Sequence, residues 1–200
     1  FDPDQPFIID CGANIGLSII YFKKLYPSAK IVAFEPDSTN FNLLSANLKS
    51  LDVLKNVEIK KQAVWKENTT LSFISEGSMT SRIDNPDHSE SIDTDGRTTI
   101  DAVRLRDLLT TKVDLLKMDI EGAEYEVLID IEDKLHLIDQ LFFEYHGLFD
   151  ENHKLEELLQ LLSRNKFRYY IESGPIYQTP FYRPERNGIF DIQLNIYAFR

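Results

Sequence analysis

Cysteine is all but missing from this chain, with Cys11 the only one in 200 residues. A lone thiol closes no internal disulfide, so a reducing compartment is allowed, and its place at a strand-to-loop junction reads as a small packed residue. Basic residues are scarce as well, 22 against 33 acidic ones, which leaves a net charge of −11. Binding a phosphate backbone needs a basic stripe, so this balance speaks against nucleic acid as a partner and favours solubility and a small-molecule substrate. No apolar run approaches the roughly 20 residues that span a bilayer, and no signal-like segment opens the chain; a soluble, cytoplasmic protein with no membrane partner is expected. An initiating Met is absent too, and Phe1 lies only a few residues before the first predicted strand, so an N-terminal portion is expected to lie outside this sequence. What remains is ample for a core, with 42% apolar residues in a length suited to one domain. Residues 1–200 read as a single domain without internal repeats or a linker, and nothing in them specifies an oligomeric state.

The densest local signal is Phe7 to Gly16, FIIDCGANIG, where an apolar strand runs into a glycine loop and then an amphipathic helix. A helix N-terminus offers unpaired N–H groups and partial positive charge, and Gly12 and Gly16 allow a sharp turn and close approach of a ligand. Asp10, at the strand's end, can fix the turn or hold a cationic ligand group. The dinucleotide fingerprint G-x-G-x-x-G fails here, because starting from Gly12 it needs glycines where Asn14 and Leu17 stand. The Asn14 side chain would obstruct a pyrophosphate. A second signal follows at the expected distance: the run KIVAF ends in Glu35-Pro36-Asp37, and an acid roughly 20 positions beyond a glycine loop is placed to accept hydrogen bonds from ribose hydroxyls. Pro36 cannot continue a ladder, so it leaves the Glu35 carboxylate at the strand's edge.

Strands and helices alternate, the pattern of a parallel sheet covered on both faces. Strands are predicted near Phe7–Asp10, Ile31–Phe34, Val57–Ala63, Val113–Met118, Gln140–Tyr145, Arg168–Glu172 and Ile192–Phe199, and helices near Gly16–Tyr26, Ser38–Leu51, Glu121–Asp130 and Asn152–Asn165. Ser38 is the expected N-cap of the second helix, whose Phe41, Leu44 and Leu48 share a face. Glu76 to Arg97 is too polar for a core element and reads as a long loop, either a functional lid or an insertion. Ser173 to Ile189 is a turn-rich connection carrying Tyr177, Phe181, Tyr182, Arg183 and Arg186. Its rings could stack on a sugar face and its arginines could fork a carboxylate or phosphate, or the rings could simply pack the hairpin onto the sheet.

The second dense motif is Asp114 to Glu124, DLLKMDIEGAE. In open parallel sheets ligands sit beyond the carboxyl ends of strands near the switch in strand order, which is where Asp119 falls. Glu121 reads as the first turn of the following helix, where an acid is favoured by the helix dipole in any case. In the next strand, alternation puts Glu144 and His146 on one side. If those strands are neighbours, Asp119, Glu144 and His146 meet at one pocket edge.

Together, IIDCGANIGLS, AFEPD, QAV and DLLKMDIEGAE resemble the FkbM family of S-adenosylmethionine-dependent methyltransferases over roughly residues 7 to 146, with KMDIEGAE the most specific part. The resemblance implies a Rossmann-like three-layer α/β sandwich around a mostly parallel seven-stranded sheet with its last strand antiparallel. It also implies O-methylation of a hydroxyl, often on a sugar, glycan or other polyhydroxylated natural product. By resemblance Gly12, Asn14 and Glu35 hold the cofactor, and Ala63 and Val64 flank the adenine.

Methyl transfer to an alcohol requires loss of the hydroxyl proton, which calls for a carboxylate, a histidine or a metal. Asp119 and His146 are the base candidates, with Glu121 and Glu144 orienting them. The alternative is a hard cation such as magnesium on Asp119, Glu121 and Glu144. An Asp/Asn-Pro-Pro-aromatic motif, which would point to amino groups of nucleic-acid bases, is absent. The competing classes are a non-catalytic S-adenosylmethionine-binding module, disfavoured by the carboxylates beside the loop, and an NAD(P)-dependent oxidoreductase, disfavoured by the broken fingerprint.

Overall fold

The computed structural model describes residues 4–75, 81–83, 97–147, 151–173 and 192–200. The first elements follow the predicted alternation: β1 (Phe7–Cys11), α1 (Leu17–Leu25), β2 (Lys30–Phe34), α2 (Ser38–Ser50) and β3 (Val57–Lys60). Then come β4 (Ala63–Trp65), β5 (Thr69–Ser75), β6 (Ser81–Ile83), β7 (Arg97–Arg104) and a short α3 (Leu105–Leu108). The second half comprises β8 (Val113–Met118), α4 (Glu124–Asp130), a 3-10 turn over Glu132–Leu137, β9 (Ile138–Gly147), α5 (Asn152–Arg164), β10 (Arg168–Ser173) and β11 (Ile192–Phe199).

Seven strands form one sheet in the order β3-β2-β1-β8-β9-β11-β10. The pairs from β3 to β9 are all parallel, and β11, last in the chain, runs antiparallel to both β9 and β10. The period of two sends successive side chains to opposite faces. Ile8, Ile31 and Ala33 pack with Ile19 of α1 and with Leu44 and Leu48 of α2. Cys11, Met118, Leu141 and Phe143 pack with Val127 and Leu128 of α4 and with Leu158, Leu161 and Leu162 of α5. The result is the three-layer α/β sandwich expected. After winding outward through β2 and β3 the chain returns to lay β8 against the free side of β1, so the switch in strand order falls between the glycine loop and Asp119.

Several expectations need correction. The run Val57–Ala63 is two strands in two sheets. β3 pairs with β2 only as far as Phe34 against Lys60, where β2 gives way to Glu35 and Pro36; with no partner to extend against, the chain leaves the sheet. Ala63 then opens β4, which runs parallel to β7 in a four-stranded sheet of order β4-β7-β5-β6 that was not foreseen. Its strands TTLSFIS and RTTIDAVR are rich in Thr, Ser and charge, and they lack the apolar run that marks a buried parallel strand. Within Glu76–Arg97, β6 replaces part of the expected loop, and the rest of that stretch lies outside the described residues apart from Arg97, which opens β7. Tyr177, Phe181, Tyr182, Arg183 and Arg186 lie outside the described residues as well. The N-cap of α2 is Asp37, whose side chain accepts from the Thr39 and Asn40 amides; Ser38 is the first helical residue. Finally, α4 begins at Glu124, because Glu121 and Gly122 have φ of 55° and 99° and form a left-handed turn that a helix cannot include.

Candidate active site

Gly12 follows β1 with φ of 80°, and its amide and that of Ala13 both donate to the Phe34 carbonyl, at 3.0 and 2.9 Å. A Cβ at Gly12 would stand 1.7 Å from the Asp119 carbonyl oxygen. The glycine is therefore demanded by the close approach of the chain leaving β8. Asn14 sits at φ 49° and its Oδ1 accepts from the Ile15 amide, an arrangement that short amide side chains support. Gly16, at φ 90°, precedes α1 where an added Cβ would press on Leu44 at 3.1 Å.

Glu35 closes this loop from the β2 side. Its two carboxylate oxygens accept from the Asn14 and Asp37 amides, each at 2.8 Å. Burial raises its pKa to about 7, an effect that the two amide hydrogen bonds oppose but do not cancel. Pro36 stands between Glu35 and the α2 cap. Ala63 and Val64 are buried in β4, in register with Ala102 and Val103.

Beneath the loop lies Asp10, fully buried, with one oxygen accepting from Ser18 Oγ in the first turn of α1 and the other 3.1 Å from Lys117 Nζ. Lys117 also donates to the Gly12 carbonyl at 2.9 Å and stands 4.0 Å from Asp119. Burial works against its charge, but Asp10 and Asp119 outweigh it and hold the ammonium above its ordinary pKa. Cys11 is enclosed, and burial together with the Asp10 charge pushes its thiol far up, so it offers no thiolate.

The second half of the site is a cluster at the carboxyl ends of β8 and β9. Asp119, Glu144 and His146 each offer one ligand-type atom, and these atoms all lie within 4.8 Å of one another. Glu121 joins them, with Oε2 3.4 Å from His146 Nε2, and Glu144 Oε1 is 3.9 Å from the same nitrogen. Gln193 of β11 donates to Glu144. The four acid and histidine candidates are thus brought together, but Glu121 does not cap the helix. The N-cap is Ala123, with no side-chain cap, and buried Glu124 instead secures the preceding turn, its two oxygens accepting from the Ile120 and Gly122 amides at 2.9 and 3.0 Å. The same Oε1 lies 3.1 Å from His146 Nδ1.

Burial raises Asp119 to about 6, with Lys117 pulling the other way, and raises Glu121 to about 7. For His146 burial favours the neutral ring, but the Glu124 hydrogen bond and the surrounding carboxylates win and place it at about 9. Sequence reasoning passed over two residues here, Lys117 and Glu124. A lysine inside the mostly apolar run VDLLKM, facing Asp10 across the β1–β8 ladder, was the signal available for the first. For Glu124 the signal was an acid two residues past a glycine. Among the described residues, no helix is long and apolar enough to cross a membrane.

Comparison with known proteins agrees with the fold. Methyltransferase sdnD of Sordaria araneosa is 33% identical over 162 residues, which cover 66% of this chain and 62% of that protein. The 2-O-methyltransferase NoeI of Sinorhizobium fredii is 27% identical over 80% of this chain and 72% of its own length, and the 31-O-demethyl-FK506 methyltransferase FkbM of Streptomyces tacrolimicus is 25% identical over 85% and 75%. The chain therefore spans under two thirds of sdnD, and its match to Methyltransferase 1 of Beauveria bassiana covers 65% of that protein. Among solved structures, the methyltransferase FkbM from Methylobacillus flagellatus superposes with a TM-score of 0.63 at 16% identity, over 98% of this chain and 44% of that one. A Streptococcus mutans methyltransferase in complex with SAH gives 0.56 at 12%, over 98% and 90%. Residues 10–169 match the methyltransferase FkbM domain, and the chain belongs to that family of methyltransferases.

Proposed function

We propose that this domain transfers a methyl group from S-adenosylmethionine to a hydroxyl oxygen of a sugar, glycan or other polyhydroxylated small molecule. The observation that carries the reading is the contact between the glycine loop and the start of the acid–histidine cluster. Gly12 packs directly on the Asp119 carbonyl, so a cofactor bound on the loop has the cluster as its neighbour. The donor set suits that cofactor. Gly12, Asn14 and Gly16 form a turn without the bare backbone a pyrophosphate needs, Asp10 fixes its base, and Glu35 with Pro36 presents a carboxylate for ribose hydroxyls, leaving Ala63 and Val64 to flank the adenine. When bound, S-adenosylmethionine supplies an electrophilic methyl group on a sulfonium.

The chain's own work is positioning and proton removal. As the acceptor oxygen bonds to carbon its proton has to leave, and Asp119, raised to about 6, is an ionised carboxylate of useful basicity at neutral pH. Without a bound metal ion His146, at about 9, is an imidazolium there and serves as the cationic partner that orients Glu121 and Glu144. The names of the 2-O- and 31-O-methyltransferase relatives support oxygen as the acceptor atom, the SAH-bound neighbour supports the donor, and the acidic charge supports a small molecule over nucleic acid. A cytoplasmic location is part of the same proposal.

The test is calorimetric titration with S-adenosylmethionine, its demethylated product and NADH, followed by mass spectrometry of polyol and glycan pools incubated with labelled donor. Binding of the first two and label in ether-linked methyl groups is expected. Binding of NADH alone would make the protein an oxidoreductase, and tight donor binding without transfer to any hydroxylated pool would make it a binding module.

A further inference from the structure

We propose that Asp119, Glu144 and His146 are the ligands of a divalent cation, best matched by Mn2+, which holds and polarises the acceptor oxygen. This rests on the methyl-transfer reading for its role but not for its existence. An ion bonded to each ligand at about 2.0–2.4 Å requires donor atoms about 3 to 4.8 Å apart, and the three residues bring one oxygen, one oxygen and one ring nitrogen within 4.8 Å of one another. Glu144 and His146 lie within β9 in register with β11, and Asp119, one residue past β8, is held by its amide donating to the Cys11 carbonyl at 3.0 Å.

His146 separates this cluster from a chance gathering of acids. Its side chain is only 3% exposed, and Nδ1 lies against Glu124 Oε1 at 3.1 Å. Glu124 is in turn fixed by the Ile120 and Gly122 amides. A carboxylate on one ring nitrogen is the usual device by which a protein sets the tautomer of a ligating imidazole, turning the lone pair of the other nitrogen toward the metal. Here that other nitrogen, Nε2, faces Glu121 at 3.4 Å, Glu144 at 3.9 Å and the Gln193 side-chain amide at 3.5 Å, and a bound ion would take the place of its proton.

Charge points the same way. Asp119, Glu121, Glu124 and Glu144 surround one imidazole, and among the described residues the nearest other cation, Lys117, stands 4.0 Å from Asp119 while already paired with Asp10 at 3.1 Å. Four acids gathered on one imidazole, in a partly enclosed site, form a donor set whose charge a divalent ion would balance. Two carboxylates with one imidazole suit Mn2+, which accepts both ligand types, better than Mg2+, which prefers oxygen throughout. The set differs from the all-carboxylate one that the sequence offers, with His146 replacing Glu121.

The experiment is titration of Mn2+ into EDTA-stripped protein, read by the loss of the free-ion electron paramagnetic resonance signal, with neither donor nor acceptor present. One Mn2+ per chain is expected, with affinity at least ten-fold weaker in Asp119→Asn, Glu144→Gln and His146→Gln, and unchanged in the distant control Glu58→Gln. Thermal melts of each variant establish that it is folded, and the conservative Asp119→Asn answers if His146→Gln does not fold. Absence of binding at millimolar Mn2+ and Mg2+, or equal binding in all variants, overturns the metal site. S-adenosylmethionine affinity and methyl transfer are measured in parallel. Transfer that persists in EDTA removes the ion and leaves the function standing, whereas Mn2+ binding without transfer leaves the site standing and removes the function.

Discussion

A methyl group added at Gly12 would meet the Asp119 carbonyl oxygen at 1.7 Å, on a backbone with φ of +80°. Left-handed strain costs about 1–3 kcal/mol and overpacking against backbone a similar amount, so Gly12→Ala should destabilise the fold by about 2–6 kcal/mol in urea titrations. Glu35 carries the opposite kind of information, because its environment and not its backbone is special. Its folded-state pKa of about 7 lies above the ordinary 4.5, so the native state holds the proton more tightly. That contribution is complete below pH 4.5 and is lost as pH rises through 7. Stability of the wild type relative to Glu35→Gln should therefore fall by up to about 3 kcal/mol across that window, measured by denaturation at several pH values. Glu35→Ala should also weaken S-adenosylmethionine binding by about 1–3 kcal/mol. At the cluster, Asp119→Asn or His146→Gln should lower turnover by about 10²–10⁴-fold with little change in donor affinity, as the proposed roles at the acceptor require.

Among the elements, the helix starts show how local chemistry divides the work. Asp37 accepts from two α2 amides at 2.8 and 2.9 Å, whereas Ser38 lies inside the first turn. Asp37→Ala should cost about 0.5–2 kcal/mol and Ser38→Ala a few tenths, a difference that thermal unfolding resolves. Both residues are cap formers, and only the backbone geometry at Pro36 and Asp37 decides between them. At α4 the left-handed turn of Glu121 and Gly122 swings the Glu121 carboxylate out of the helix and toward His146, while Glu124 turns back to satisfy the turn's amides. The second sheet was unreadable for a related reason. Strands β5 and β7 are held by antiparallel pairing to each other over Ile74 against Arg97 through Thr69 against Ala102, and pairing of polar strands leaves little hydrophobic trace in either segment alone.

In the molecule as a whole, the site exists because one sheet changes its strand order between β1 and β8. The glycine loop and Asp119 are separated by over a hundred residues yet touch through backbone, and Lys117 ties them by bonding Gly12 and pairing with Asp10. A ligand seated there stabilises both halves at once, so S-adenosylmethionine at a hundred times its Kd should add about 2.7 kcal/mol and raise Tm by roughly 5–11 °C in a scanning-fluorimetry series. The sequence by itself determined the strand-and-helix alternation, the glycine loop, the acid after β2, the acids and histidine after β8 and β9, and the family. Each of these is written in local periodicity or in a short motif, where neighbouring residues alone set the chemistry. Only the tertiary structure decided that Lys117 is buried between two aspartates, that Glu124 and not Glu121 secures the α4 turn and faces Nδ1 of His146, and that Ala63 and Val64 belong to another sheet. Those assignments depend on which strand lies beside which and in what register, and long-range pairing leaves no mark on the short windows from which a sequence is read.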